Sequence, residues 1–592
     1  MRAKSTRWMS SCTGIVGTLL LCTAAVRPAL ATEGSSTPST VFFNAHVFTA
    51  EYDHPYAEAV AIRGEHIIAV GTRDSVEQAA GPGARHMDLK GQFLMPGMID
   101  AHVHPIMGGI TLIQREYVQR FTSVAAMLAV VREEIVKHQS FRGDVLVIGS
   151  LDLSNWSHAT EIDAALSEGE FAAQPIYLVG NDGHTAWANR AVRVRAGITK
   201  DFIAHLTSGD RRYYGFDADL NPNGFVVDVG KTKVDERLPP YSPEFMLRAG
   251  RAAVRYLNGF GITGWLDPAV SGVVGGSTPA SADDPGFLPV YRDLAQRGEL
   301  TAHVAAYPVV QPDLGTPQIE VVEALRKEFQ GVPNLVIPGL KVFADGVVEY
   351  PSQTAALTLP YGNTGQKTPL LFTPEKMKAF VTEATRRGLN VHIHAIGNLA
   401  VKASLDAFEA ARKAMPQSHL PYSLTHAQFV DLEDIPRFAQ LHVIAALQLL
   451  WAQANSDSVD VVKPYIDPSI YRWMYPARSI LDAGGEIAGA SDWFVSSPNP
   501  FLAMVFAETR TGPEGVLDPA QRMPREAMLY AYTRHSAHAL DMLDEIGSIA
   551  PGKRADLVLV DRDVMTVPVD ELKQAAVVWT MLGGKVVFGQ GP

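Results

Sequence analysis

Short apolar runs and longer helix-like stretches alternate through most of this chain. Residues 145–148, 175–179, 261–265, 302–306, 340–343, 389–394, 423–426 and 486–490 are mostly apolar, and each predicts a buried strand. Residues 123–137, 243–258, 374–387 and 400–415 lie between such runs and predict helices. Strands alternating with helices predict a parallel sheet of βα units, an α/β fold. With the apolar run that leads to His102, the strands exceed a simple count of eight, so an inserted subdomain is expected near residues 105–250. Residues 271–286 (SGVVGGSTPASADDPG) predict a loop. The two ends have a different texture. Residues 40–43, 59–62 and 66–70, and again 556–560, 576–580 and 585–588, are β-rich, and Gly583-Gly584 marks a hairpin. Both ends are expected to assemble one small β domain.

The first 31 residues predict a signal peptide. Arg2, Lys4 and Arg7 open it, residues 14–25 are apolar but short for a bilayer, and Ala29-Leu30-Ala31 is a small-residue cleavage site. The mature protein is therefore expected to begin at Thr32 and to be periplasmic or secreted. N-terminal mass analysis of exported material should start at Thr32; an intact Met1, or a lipid on Cys22, would overturn this. Both cysteines, Cys12 and Cys22, lie in the removed segment, which excludes disulfides, cysteine nucleophiles and thiolate metal sites from the mature form. Cleavage removes four of the 51 basic residues and none of the 63 acidic ones, so the net charge moves from −12 to −16. That excludes nucleic acid as an expected partner. No other run offers about 18 consecutive apolar residues, so no membrane span is expected.

Candidate chemistry begins at Met95-Pro96-Gly97-Met98-Ile99-Asp100-Ala101-His102-Val103-His104-Pro105. Residues i and i+2 of a strand face the same way. His102 and His104 therefore aim two imidazoles at one point, as a metal ion requires. Residues 91–96 are expected to turn the chain into this strand, and Pro105 with Gly108-Gly109 to end it. That places the pair at a strand's C-terminal end, where α/β barrels keep their chemistry. His394, His426 and Asp492 close three later strands. His392 shares a face with His394, and only the following Ala395-Ile396-Gly397 favours His394. Lys341 lies inside Leu340-Lys341-Val342-Phe343, a costly place for a cation unless it is paired or chemically altered.

These segments carry a resemblance. The stretch Phe93–His104, Asp182-Gly183-His184-Thr185-Ala186-Trp187-Ala188-Asn189, and Lys341-Val342-Phe343-Ala344-Asp345-Gly346 with Thr354-Ala355-Ala356-Leu357 resemble motifs of the amidohydrolase superfamily. So do His394-Ala395-Ile396-Gly397, His426-Ala427-Gln428, Ser491-Asp492-Trp493 and residues 547–558, all in order. Within the superfamily the chain resembles amidohydrolase family 3, the branch that includes N-substituted formamide deformylase. The resemblance implies a (β/α)8 TIM-like barrel over residues 97–544, with the insertion near 105–250. It also implies a small β-sandwich domain built from residues 32–96 and 545–592. A divalent metal centre, usually zinc, of one or two ions is implied. His102 and His104 would hold the buried ion and His394 and His426 the outer one. Lys341 would bridge them as a carbamate, and Asp492 would bind metal and act as general base.

Some positions depart from the family. Asn398 and Thr425 stand where many members carry Asp and Glu, at positions expected to tune ligand basicity. Glu349 and Gln353 stand where many have Ser and Arg, which bears on the substrate. The implied reaction is hydrolysis of a carbon–nitrogen amide-type bond in a formamide, N-acyl compound or cyclic amide, with water acidified by the metal. His184 is expected to act as a neutral donor to the developing oxyanion. The alternatives are an ester, lactone or carbamate hydrolase on the same site, or a catalytically dead periplasmic binding protein. Trp156, Trp265, Trp451, Trp473 and Trp493 are candidate pocket walls. A small-molecule substrate is the expected partner; assembly as a homo-oligomer stays open.

Overall fold

Strands that are apolar on both faces are stable only when covered on both, and that requirement organises the centre of the molecule. The computed structural model describes residues 38–114, 123–138, 140–180, 182–270 and 285–591. The signal segment with Cys12 and Cys22, and nearly all of the 271–286 loop, lie outside the described residues. Two parallel sheets form the centre. One runs Leu335–Val336, His303–Ala306, Ile262–Asp267, Met98–Asp100; the other runs Gly339–Phe343, Asn390–Ala395, Tyr422–His426, Val443–Leu447, Ile487–Gly489. Backbone hydrogen bonds join them at both seams. Ala101 N–H donates to Gly489 O, and Lys341 N–H and Val310 N–H tie residues 308–310 to the Lys341 strand. Every residue of Asn390–Ala395 is buried, as the pattern predicts for such a strand. The result is a TIM-barrel-like α/β fold.

The predicted helices form where their end signals stand. Ser242 Oγ accepts from Phe245 N–H ahead of Pro243–Gly259, and Thr373 caps Pro374–Arg386 in the same way, each with proline in the first turn. Strands from both ends of the chain share one eight-stranded sheet, in which Leu557–Val560 lies between Phe93–Pro96 and Val577–Leu582. Residues 141–227 supply a further six-stranded sheet, ordered Tyr214–Phe216, Pro222–Val227, Thr185–Ala188, Ile176–Gly180, Val145–Leu151, Phe141–Arg142. No helix among the described residues is long and apolar enough to cross a membrane.

The run carrying His102 and His104 differs in detail from the sequence expectation. Residues Phe93–Pro96 are a strand of the outer sheet rather than a turn, and the inner strand is only Met98–Asp100. The two histidines follow it, and Pro105 opens the helix Pro105–Gln114 instead of ending a strand. Gly108 and Gly109 are inside that helix. A Cβ on Gly108 would fall 2.6 Å from the Trp493 ring, and one on Gly109 would fall 2.0 Å from Ala249 O. These glycines serve close packing, which sequence alone reads as a break.

Candidate metal centre

The inner strand ends where backbone hydrogen bonds clamp two loops together. His104 N–H donates to Trp493 O, Asp492 N–H to His102 O and Val103 N–H to Leu266 O. Asp100 Oδ1 accepts from the N–H groups of both His102 and Ser491. This clamp brings Asp492 to the histidines from nearly 400 residues away in sequence. Asp492 Oδ1 lies 3.0 Å from His104 Nε2 and 3.4 Å from His102 Nε2. Neither contact is a well-aligned hydrogen bond, and His104 Nδ1 and Lys341 Nζ are likewise buried without a partner among the described residues. Ligand atoms of His102, His426 and Asp492 all lie within 4.8 Å of one another. His426 at φ +72° and Asp492 at φ +55° occupy the left-handed region, a strained conformation for residues with a Cβ.

Outer contacts select the nitrogen each histidine presents. His102 Nδ1 is 2.7 Å from His392 Nε2, and His392 Nδ1 is 2.6 Å from Ser423 Oγ. His426 Nδ1 is 2.9 Å from Gln448 Oε1. Both leave Nε2 for the interior, the arrangement by which a neighbouring group orients a ligating imidazole. His394 lines the adjacent cavity with its ring 4.5 Å from that of His426, and its Nε2 meets Gly346 O at 3.0 Å. His392, the other choice on that strand, is spent on orienting His102.

Electrostatics suit a cation-binding donor set. Burial first, and neighbouring positive charge second, hold His102, His392, His394 and His426 well below the usual histidine value, so their lone pairs are free. Burial pushes Asp492 up, but its close contact with His104 first, and then nearby positive charge, outweigh it and hold the carboxyl at about 2. Neutral imidazoles around one anionic oxygen, with converging atoms that do not satisfy each other, fit a divalent metal.

His184 follows the same logic with a different outcome. Its Nδ1 is 2.6 Å from Asp228 Oδ1. Burial would lower its pKa, but the bond to Asp228 and the charges of Asp228 and Asp182 raise it. The pairing with Asp228 thus makes His184 a stronger base than a free imidazole and fixes its Nδ1, leaving Nε2 as the nitrogen for a substrate. Asp228→Asn should lower the His184 pKa, so the protonated form is lost at lower pH. The alkaline limb of the kcat profile then moves toward acid. A histidine titration by NMR and a pH profile that both stay put would exclude this role for Asp228.

A model of the amidohydrolase family matches residues 85–588. The chain belongs to the amidohydrolase family. Over 92% of this chain and 97% of the relative, it is 25% identical to N-substituted formamide deformylase of Arthrobacter pascens. It is 26% identical to the protein LONG AFTER FAR-RED 3 of Arabidopsis thaliana, over 92% of this chain and 91% of that one. Among solved structures, an uncharacterized metal-dependent hydrolase from Pyrococcus horikoshii OT3 superposes with a TM-score of 0.68. It is 21% identical and covers 90% of this chain and 99% of its own.

In this amidohydrolase the unusual Thr425 receives Gln448 Nε2–H, so it acts through the residue that orients His426. Asn398 bonds Thr358 and Asp431 and bears on neither His394 nor His426 directly. Of the five tryptophans, Trp451 alone lines the cavity, stacked on His426 at 5.7 Å. Trp265 is wholly buried, Trp156 packs in the inserted sheet's core, Trp493 covers Gly108, and Trp473 lines a separate groove. Three residues escaped the sequence reading of the site. Asp345 accepts from the N–H groups of Ala356, Ile396 and Gly397, fixing the loop after His394; its place just after the lysine strand was the available signal. Asp228 belongs to no motif. Gln428 follows His426 in its motif, which by itself assigns it no role.

Proposed function

We propose that this amidohydrolase is a metal-dependent hydrolase of a carbon–nitrogen amide-type bond, such as a formamide, N-acyl compound or cyclic amide. The observation that carries it is the convergence of His102, His426 and Asp492 on one buried point with Asp492 Oδ1 left without a well-aligned hydrogen bond. Likeness to a named formamide deformylase supports the choice of bond. His102, His104, His394, His426 and Asp492 would hold one or two ions, zinc being the expected metal, with Lys341 as a carbamate bridge between two. Bound there, the metal supplies Lewis acidity toward the carbonyl and acidifies water. Asp492 stays anionic across neutral pH and accepts the proton of the attacking water. As the oxygen–carbon bond forms and the carbon–nitrogen bond breaks, the same carboxyl returns that proton to the leaving nitrogen. His184 presents its other ring nitrogen to the carbonyl oxygen as negative charge develops. The buried cluster excludes bulk water from these steps. Export to the periplasm or medium belongs to the same proposal, on the strength of residues 1–31.

The test is a panel of N-formyl, N-acyl, cyclic amide, ester, lactone and carbamate compounds given to zinc-loaded protein. Release of amine from the nitrogen compounds is expected. Turnover confined to esters or lactones would move the assignment to that bond. No turnover together with a metal content near zero would make the chain a binding protein.

A further inference from the structure

The cavity of about 170 Å³ beside the histidines has a wall that hydrolysis as described leaves unused. Asp182, Glu349 and Asp457 all line it, from three separate loops, and among its described lining residues there is no lysine or arginine. The carboxylates are near enough to affect one another. Burial first, then Asp182 and Asp457, push Glu349 up to about 7, and Asp182 is itself raised, chiefly by burial.

Gln428 is an independent feature of the same wall. Gln428 is 1% exposed and lines the cavity, near enough to Glu349 to hold that carboxyl down slightly though not in a well-aligned hydrogen bond. Neither its Oε1 nor its Nε2 has a partner among the described residues. Buried amides are normally satisfied, so both atoms are placed to meet polar groups of a ligand. Trp451, half-buried in the same wall, adds an indole, the ring that attracts cations best.

We propose that this wall is a cation subsite. The substrate carries, beyond its scissile bond, a protonated amine that sits against Glu349, Asp182 and Asp457, while Gln428 hydrogen-bonds the polar atoms beside it. This rests on the hydrolase reading above and narrows it to basic N-acyl compounds. A cation relieves the mutual repulsion of the three carboxylates, whereas an anionic substrate would add to it. It also supplies N–H donors that Gln428 Oε1 lacks among the described residues. A neutral alkyl group would cover Glu349 without compensation, whereas Asp182 Oδ1 already accepts from the backbone N–H of His184 and from the backbone N–H and hydroxyl of Thr185.

Two measurements on the full-length mature protein separate the subsite from the chemistry. In the first, n-butylammonium chloride and n-butanol are titrated separately and followed by intrinsic tryptophan fluorescence. The ammonium is expected to bind about tenfold or more tightly than the alcohol. In the second, kcat/KM is compared for N-(4-aminobutyl)formamide and its neutral isostere N-pentylformamide. The cationic compound should be favoured by about tenfold, and Glu349→Gln should reduce that ratio about fivefold. Asp457→Asn, at the exposed mouth of the cavity, should reduce it as well and decides the matter if Glu349→Gln does not fold by thermal melt. Equal binding of ammonium and alcohol, or a ratio unchanged in the folded variants, overturns the subsite even if both formamides are hydrolysed. Retained ammonium preference with neither formamide hydrolysed supports the subsite and overturns the amide reading instead.

Discussion

Asp492→Asn is expected to lower kcat by about 10²-fold or more while most of the bound metal is retained. Asparagine keeps an oxygen where Asp492 Oδ1 now lies, 3.0 Å from His104 Nε2, so one donor atom survives. What it loses is the charge and the capacity to accept a proton. The backbone clamp through Asp492 N–H and His102 O is untouched by the exchange. The measurement is metal content and kcat side by side. Near-normal kcat removes the proton-transfer role. Metal and activity lost in parallel would instead make Asp492 chiefly a ligand.

The second large effect is a split between stability and activity at Lys341. Its Nζ is buried 4.9 Å over the Phe343 ring with no hydrogen-bond partner among the described residues. Lys341→Met keeps an unbranched side chain as far as Cε and removes the polar end. The metal-free variant is expected to be more stable by about 1–3 kcal/mol, the cost of an unpaired buried polar group. It is also expected to lose metal and activity together, because no carbamate can form. The sign of the pH dependence follows from burial, which holds the Lys341 amine well below its ordinary 10.5. The unfolded chain therefore holds this proton more tightly than the folded protein does. The penalty of the native lysine is therefore greatest at neutral and acid pH and fades as pH rises toward 10.5. The advantage of methionine fades with it. Thermal melts of both metal-free proteins across that range check this. A variant that melts lower and keeps full metal occupancy would refute the bridging role.

Local chemistry made part of the site legible in advance. His102-Val103-His104 after an apolar run, and His394, His426 and Asp492 after three others, signal a strand-end cluster because strand ends are where such folds expose side chains. The charge of a carboxylate and the cost of a lysine within Leu340–Phe343 are likewise properties of residue types. The His392 and His394 alternatives were not separable at that level. Both face inward, and only packing shows that His392 bonds His102 and Ser423 while His394 opens onto the cavity.

By itself the sequence determined the alternation of strand and helix, the helices beginning at Pro243 and Pro374, the family, and the residue types that meet at the centre. Those depend on periodicity, caps and side-chain chemistry, which act over a few residues at a time. Tertiary structure alone decided that Gly108 and Gly109 are packing glycines inside a helix, because the Trp493 ring and Ala249 O arrive from distant segments. It alone paired His184 with Asp228, which raises the pKa of that histidine. It alone set Asp182, Glu349, Asp457 and Gln428 around one cavity. Protonation, strain and hydrogen-bond satisfaction are set by whatever lies within a few ångströms, and for these residues those neighbours come from parts of the chain far away in sequence.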